Sequence, residues 1–285
     1  MPPVLLFGHG VPLEAECLRG LPLRDITRDW HAQPASSRIE PLMEPFLDPF
    51  VRSFLFGLES GACDGAARII VWRPGAGALH AYRYAGELRR LGLLPPGPPV
   101  TLWNRAASRG PAADAFDAAQ DAALALALAG LARGPVRDRA GPLAVWARWQ
   151  AEGRISGAEA FRARLAARRG EVPEVMPGPP RSGRRLALAG SPLAGDGLHR
   201  WLDTQGALVL DLQGPDASTD DLADLMRAHR IEHLVWQVDP NDDLHGWRAP
   251  GLRRLCAGLG VRFSDLGFLP PLPGPGDLPE ALPCA

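Results

Sequence analysis

The chain has 285 residues, 46% of them hydrophobic and 22% charged, and its net charge is −1. This length and apolar fraction suffice for one large or two modest globular domains. The near-neutral charge, without a block of basic residues, argues against a nucleic-acid-binding protein. The chain contains no lysine, so Schiff-base lysine and P-loop lysine chemistry is excluded.

The cysteines are few and widely spaced: Cys17, Cys63, Cys256 and Cys284. Because none of them forms a C-x-x-C pair, a zinc or ferredoxin-type motif is absent. The amino-terminal residues lack the charged and apolar regions of a signal peptide, and no apolar run is long enough to span a bilayer. We therefore expect a reduced, cytoplasmic protein.

Residues 1–105 are predicted to form a first α/β domain, because buried strand-length runs alternate with segments of helical periodicity. The predicted elements are, in chain order, a short strand or extended entry at Pro3–Phe7, one or two helical turns at Leu13–Arg19, a helix over Ile39–Glu59, a strand at Arg68–Trp72, a helix at Ala78–Leu91 and a strand at Val100–Trp103.

Residues 106–170 are predicted to be a helical section, with helices at 112–131, 143–152 and 156–169. Ser156 and Glu159 match the capping-box pattern of a helix start, in which each side chain bonds to the backbone amide of the other residue. The Pro- and Gly-rich residues 171–183 are predicted to be a linker.

Residues 184–268 are predicted to form a second α/β domain of four strands separated by three amphipathic helices, followed by an irregular tail at 269–285. The predicted strands are Arg185–Ala189, Ala207–Asp211, His233–Val238 and Val261–Ser264. Ligands of open α/β sheets bind outside the carboxyl ends of the strands. We therefore expect functional residues in the turns that begin at Ser191 and Asp239.

Several segments, in order along nearly the whole chain, resemble one family. They are Phe7-Gly-His-Gly-Val-Pro-Leu-Glu14, Gly20-Leu-Pro-Leu-Arg24, Asp48-Pro-Phe-Val-Arg-Ser-Phe54, Ile69-Ile-Val-Trp72, Ala81-Tyr-Arg-Tyr-Ala-Gly-Glu-Leu-Arg-Arg90, Arg185-Leu-Ala-Leu-Ala-Gly-Ser-Pro-Leu193, Gly206-Ala-Leu-Val-Leu-Asp211 and Ile231-Glu-His-Leu-Val-Trp-Gln-Val238. The chain is thereby similar to the subunits of 2-hydroxyacyl-CoA dehydratases and benzoyl-CoA reductases.

The resemblance implies two flavodoxin-like (Rossmann-like) parallel-sheet domains with a helical section between them. It also implies a [4Fe–4S] cluster in the inter-domain cleft, held by three cysteines of each subunit and reduced by an ATP-dependent activator. Electron transfer to a CoA thioester would then permit dehydration or ring reduction. In this chain the three expected positions lack thiols: the turn after Trp72, Ser191 and Asp239.

We therefore expect a divergent member of the family, an accessory or non-catalytic subunit with no cofactor of its own, beside a related cluster-bearing subunit or in a homodimer. Thiolates are the usual cluster ligands, and hard oxygen ligands replace them poorly. Two alternatives stay open. One is an active subunit of a CoA-thioester dehydratase or reductase complex; the other is a small-molecule binding protein, with acyl-CoA as a possible ligand, that reuses the inter-domain cleft.

Candidate cleft residues are Arg73, His80, Arg83, Ser191, Asp239, Asn241, Asp242 and His245. The first three could pair with an anionic substrate, since guanidinium groups bind phosphate and carboxylate well; the alternative is ordinary surface residues. The acidic turn offers oxygen ligands for Mg²⁺ or Ca²⁺, with Asp239 and Asp242 as weak candidates, but we expect no metal. Asp and Asn are also favoured in solvated turns and at helix N-caps.

Two familiar motifs are incomplete or missing. The segment Gly75-Ala-Gly-Ala-Leu-His80 follows a strand but lacks the third glycine and the acidic partner of a dinucleotide-binding fingerprint. No G-x-S-x-G elbow occurs, so a serine hydrolase of that class is not indicated.

Overall fold

A computed structural model describes residues 1–73, 76–106, 110–136, 140–213, 219–240 and 242–283. The chain forms two compact units. The first unit comprises Met1–Arg139 with Arg168–Gly170, and the second comprises Ala140–Ala167 with Glu171–Ala285. The predicted fold class is confirmed, since each unit contains an all-parallel four-stranded sheet flanked by helices.

The first unit is built on a parallel sheet with the strand order β2-β1-β3-β4. Its elements are β1 (Val4–Phe7), a 3-10 turn (Glu16–Leu18), β2 (Leu23–Asp25), a second 3-10 turn (Glu40–Leu42), α1 (Pro49–Glu59), β3 (Arg68–Arg73), α2 (Ala76–Arg90), β4 (Val100–Asn104) and α3 (Pro111–Leu128). The helix predicted over Ile39–Glu59 begins only at Pro49, so its predicted start was wrong. The side chain of Asp48 accepts hydrogen bonds from the amides of Phe50 and Val51 and thus caps the helix there.

The second unit has the corresponding order β6-β5-β7-β8, again entirely parallel. Its elements are α4 (Ala140–Ala151), α5 (Gly157–Arg169), β5 (Arg185–Gly190), α6 (Gly197–Gln205), β6 (Ala207–Gln213), α7 (Thr219–Ala228), β7 (His233–Val238), α8 (Asp243–Leu259) and β8 (Arg262–Phe268), followed by a 3-10 turn (Pro275–Asp277). The last strand is thus shifted from Val261–Ser264 and extends to Phe268. The predicted helical section is divided between the units, because α3 lies in the first, whereas α4 and most of α5 lie in the second.

The helices of the second unit cover both faces of its sheet. Leu198 and Leu202 of α6 pack with Leu186 and Leu188 of β5 on one face. Alternate residues of β5, namely Ala187 and Ala189, pack on the other face with α7 and α8. The chain segments that follow β5 and β7 thus cross opposite faces of the sheet. The topological switch point therefore lies between the carboxyl ends of these two strands.

The first unit repeats this arrangement. Leu124 and Leu128 of α3 cover the face that carries Val4 and Leu6 of β1. On the other face the rings of Phe7 and Phe54 stack with their centroids 4.5 Å apart, which places α1 there. The switch point of this sheet therefore lies between the carboxyl ends of β1 and β3.

A glycine stands at the same place in both switch points. Gly8 follows β1 with φ +138°, and Gly190 ends β5 with φ +121°. A Cβ atom at Gly8 would overlap the carbonyl oxygen of Trp72, and one at Gly190 would overlap that of Gln237. Only glycine therefore allows the first strand of each unit to leave the sheet so close to its neighbour.

Among the helices that the structure describes, none is both long enough and apolar enough to cross a bilayer.

Candidate functional site

The candidate site of the second unit is the switch point between β5 and β7. Ser191 follows Gly190 directly and is only 2% exposed. Its backbone amide donates a hydrogen bond to the carbonyl of Gln237 at 3.2 Å, and its carbonyl accepts one from the Gln237 side-chain amide. Two hydrogen bonds of its backbone thus hold Ser191 against β7.

The hydroxyl of Ser191 makes two further hydrogen bonds. It donates to Oδ2 of Asp242 at 2.7 Å and accepts from the backbone amide of Asp239 at 2.9 Å. The turn after β5 is therefore tied both to the end of β7 and to the beginning of α8. An ionised carboxylate can only accept, so the direction of the Ser191–Asp242 bond is fixed once Asp242 is charged.

Asp242 is the N-cap of α8 and also the hub of this cluster. Its side chain accepts from the backbone amide of His245 at 3.1 Å and lies 2.7 Å from Nδ1 of His245. Burial alone would raise the pKa of Asp242, but the hydrogen bonds from His245 and Ser191 outweigh it, so the pKa is lowered. The group is therefore a carboxylate at neutral pH, with Nδ1–H of His245 as donor.

The order of the groups is serine, aspartate, histidine, with the carboxylate in the middle. In a nucleophilic triad the imidazole lies between the serine and the carboxylate and takes the serine proton. Here Nδ1 of His245 faces Asp242, and Nε2 is buried without a hydrogen-bond partner among the described residues. The cluster therefore joins β5, β7 and α8, and it does not activate Ser191 as a nucleophile.

The remaining acidic residues of this turn do not complete a metal centre in the described part of the chain. Asp239 is 7% exposed, and Asn241 lies outside the described residues. Among the side chains that the structure describes, no three His, Cys, Asp or Glu residues are grouped so that they could hold a metal ion. The structure thus brings Ser191, Asp239, Asp242 and His245 together as a hydrogen-bonded turn.

The predicted residues of the first unit are more scattered. Nη1 of Arg73, at the end of β3, donates to Oδ1 of Asn104 in β4 at 3.1 Å. His80 and Arg83 are exposed on α2. No contact between these three residues joins them into one site within the described residues, and Arg73 serves to link two neighbouring strands.

An aromatic cluster that was not predicted from the sequence lies at the carboxyl ends of β3 and β4. The rings of Trp72 and Trp103 lie 4.6 Å apart in an edge-on arrangement, and the guanidinium of Arg105 lies 5.8 and 5.5 Å from their centroids. Asp121 of α3 binds both the Trp103 indole, at 2.8 Å, and Arg105, at 3.0 Å. Only the location of the two tryptophans at strand ends could have indicated it.

A buried charged network in the second unit was missed as well. Asp211, in β6, lies 3.0 Å from Nε2 of His199 and 2.5 Å from Nη2 of Arg164. Asp211 pairs in register with Leu188 of β5, just as Asp25 pairs with Leu6 of β1. Asp25 is also held by an arginine, Arg168, at 2.6 Å. The two sheets thus share an aspartate whose side chain is largely buried, as well as a glycine.

None of the three cysteines that the structure describes belongs to the turns that directly follow β1, β3, β5 or β7. Cys63 lies in the turns after α1, and Cys256 lies within α8 in the apolar core. Burial raises the pKa of each thiol to about 11, whereas cluster ligands are thiolates. Cys17 is half-buried within the first 3-10 turn, and its pKa is raised by burial and by Asp121. Cys284 lies outside the described residues.

Comparison with known proteins adds no relative: no protein-family model matches the chain, and no curated protein sequence matches it.

Proposed function

We propose that the chain is a divergent relative of the 2-hydroxyacyl-CoA dehydratase subunits that acts as an accessory subunit and holds no iron–sulfur cluster of its own. A related cluster-bearing subunit would supply the [4Fe–4S] group and the low-potential electron transfer. Two observations support this proposal: the ordered sequence segments that resemble the family, and the hydrogen bonds at the second switch point.

One observation carries the proposal. At the two positions of the second unit where the resemblance implies cluster cysteines, the side chains are Ser191 and Asp239, and the Ser191 hydroxyl is already bonded to Asp242 and to the Asp239 amide. A cluster bound there would need thiolates and would have to break these buried bonds. The shared strand order of the two units agrees with the paired flavodoxin-like domains of the family.

Metal and sulfide analysis of the anaerobically purified chain, before and after reconstitution with iron and sulfide, tests the absence of a cluster. We expect no acid-labile sulfide and no cluster absorbance in either sample. The matched variant is Ser191→Ala: any adventitious iron should be the same in both proteins. A full [4Fe–4S] complement in the parent chain would overturn the proposal, whether or not the variant retains it.

Co-purification tests the accessory role. We expect a tagged chain, expressed with the genes that neighbour it in its own genome, to retain a related subunit that contains the cluster. Electron transfer to an acyl-CoA by that complex, lost when this chain is omitted, would favour the active-subunit alternative. A chain that stays monomeric and recovers no related subunit would contradict both subunit hypotheses.

A further inference from the structure

The first unit contains a half-open cavity that shares no residue with the candidate site. Its volume is about 730 Å³, within the range of small-molecule sites. Pro3 and Pro22, which precede β1 and β2, line it. The cavity therefore opens at the amino ends of these strands, the edge of the sheet opposite to the switch point.

One part of the cavity wall is apolar. Leu13, Leu18 and Leu21 line the cavity and are at most 7% exposed. They belong to the core cluster beneath β1, so their positions are fixed by packing. Such a wall offers a short hydrocarbon chain a preformed apolar surface.

Another part of the wall carries an excess of positive charge. Arg24 and Arg169 line the cavity and share a single carboxylate, that of Asp29, at 2.9 and 2.6 Å. Two guanidinium groups on one carboxylate leave one positive charge without a counter-charge in this trio. Of the other charged side chains that line the cavity, Glu16 is paired with Arg19, and Glu14, like Arg24, is exposed to solvent.

We propose that this cavity binds a small organic anion, namely a carboxylate attached to a short apolar chain. The carboxylate would lie against Arg24 and Arg169, because the planar guanidinium group matches carboxylate geometry with parallel N–H donors. The chain would lie on Leu13, Leu18 and Leu21. This site is separate from the switch points and requires neither a cluster nor a partner subunit.

Calorimetric titration of the purified full chain with octanoate tests the proposal, with octan-1-ol as the uncharged ligand of the same length. We expect octanoate to bind, butyrate to bind more weakly, and octan-1-ol to bind at least tenfold more weakly than octanoate. Arg169→Gln and Arg24→Gln should each weaken octanoate at least tenfold. The control is Arg254→Gln, an exposed arginine of α8, which should leave the affinity unchanged.

Because Arg169 also holds Asp29, the folding of each variant is checked by circular dichroism, and Arg169→Lys is included as a variant that keeps the charge. We expect it to retain more affinity than Arg169→Gln. The proposal is overturned if octanoate fails to bind at millimolar concentration, if octan-1-ol binds equally well, or if folded Arg169→Gln and Arg24→Gln bind octanoate as the parent chain does.

Discussion

The Ser191 hydroxyl lies 2.7 Å from Oδ2 of Asp242, although the two residues are 51 positions apart in the chain. The contact exists because β5 and β7 are neighbours in the sheet, with Gly190 opposite Gln237. Because of this hydrogen bond, the acidic turn that resembles a cation site instead joins β5 and β7 to the first turn of α8. The stability of the second unit should therefore depend on it.

Asp242→Ala should destabilise the second unit by about 2 kcal/mol, because it removes the N-cap of α8 and leaves the Ser191 hydroxyl without its acceptor. Urea unfolding followed by circular dichroism measures the change. The control is Asp224→Ala, which removes an exposed carboxylate of α7 whose ion pair among the described residues is with the exposed Arg227. Equal effects of the two substitutions would contradict a stabilising role of Asp242 and its hydrogen bond with Ser191.

Gly190→Ala should destabilise the chain by at least about 3 kcal/mol, since the new Cβ would overlap the carbonyl oxygen of Gln237 at a positive φ. Gly246→Ala is the matched control, because no described atom other than those of its chain neighbours and its own helix backbone lies within 4 Å of a Cβ at that position. It should be neutral or stabilising by up to about 1 kcal/mol. Thermal and urea unfolding of both variants decide the matter, and a tolerated Gly190→Ala would disprove the close approach.

His233 should make the second unit less stable in weak acid. Its Nε2 lies 2.7 Å from Oγ of Ser264, which donates to the carbonyl of Pro283, while Nδ1 lies 3.2 Å from Nη1 of Arg184. The imidazole is therefore neutral, with its proton on Nε2. Burial, and then Arg184 and Arg262, lower the pKa of His233 from 6.5 to about 4.

The unfolded chain thus binds a proton near pH 6.5 that the folded chain accepts only near pH 4. The stabilising effect of keeping His233 neutral is complete above pH 6.5. Between pH 6.5 and pH 4 the free energy of unfolding falls as the pH decreases, by about 1 kcal/mol per pH unit. His233→Gln should flatten the dependence between pH 6.5 and 4. Urea midpoints across this range measure it, and an equal slope in both proteins would show that other groups are responsible.

Cys63 and Cys256 should resist alkylation in the folded protein, because burial raises the pKa of each thiol to about 11. Iodoacetamide at pH 8, followed by peptide mass spectrometry, should modify half-buried Cys17 faster than either of them. In urea the three rates should become similar. Rapid modification of Cys256 under native conditions would show that α8 opens readily.

The local pattern predicted most of the elements. The apolar runs Arg68–Arg73 and His233–Val238 form central strands, since strands covered on both faces are continuously hydrophobic. The three-residue strand Leu23–Asp25 was missed because it is too short to show a period and follows a Gly-Leu-Pro turn. The start of α1 was misplaced because apolar spacing continues through Pro41 and Pro45, whereas the helix requires the Asp48 cap.

The local sequence pattern predicted two parallel α/β units and the turns at their carboxyl edges, because strand and helix periods are local properties of the chain. What those turns do depends on contacts that form only in the folded chain. The pairing of Ser191 with Asp242, the shared carboxylate of Asp29 and the burial of Cys256 each depend on segments far apart in sequence. Hydrogen-bond partners and desolvation are set by such long-range packing, and no local pattern encodes them.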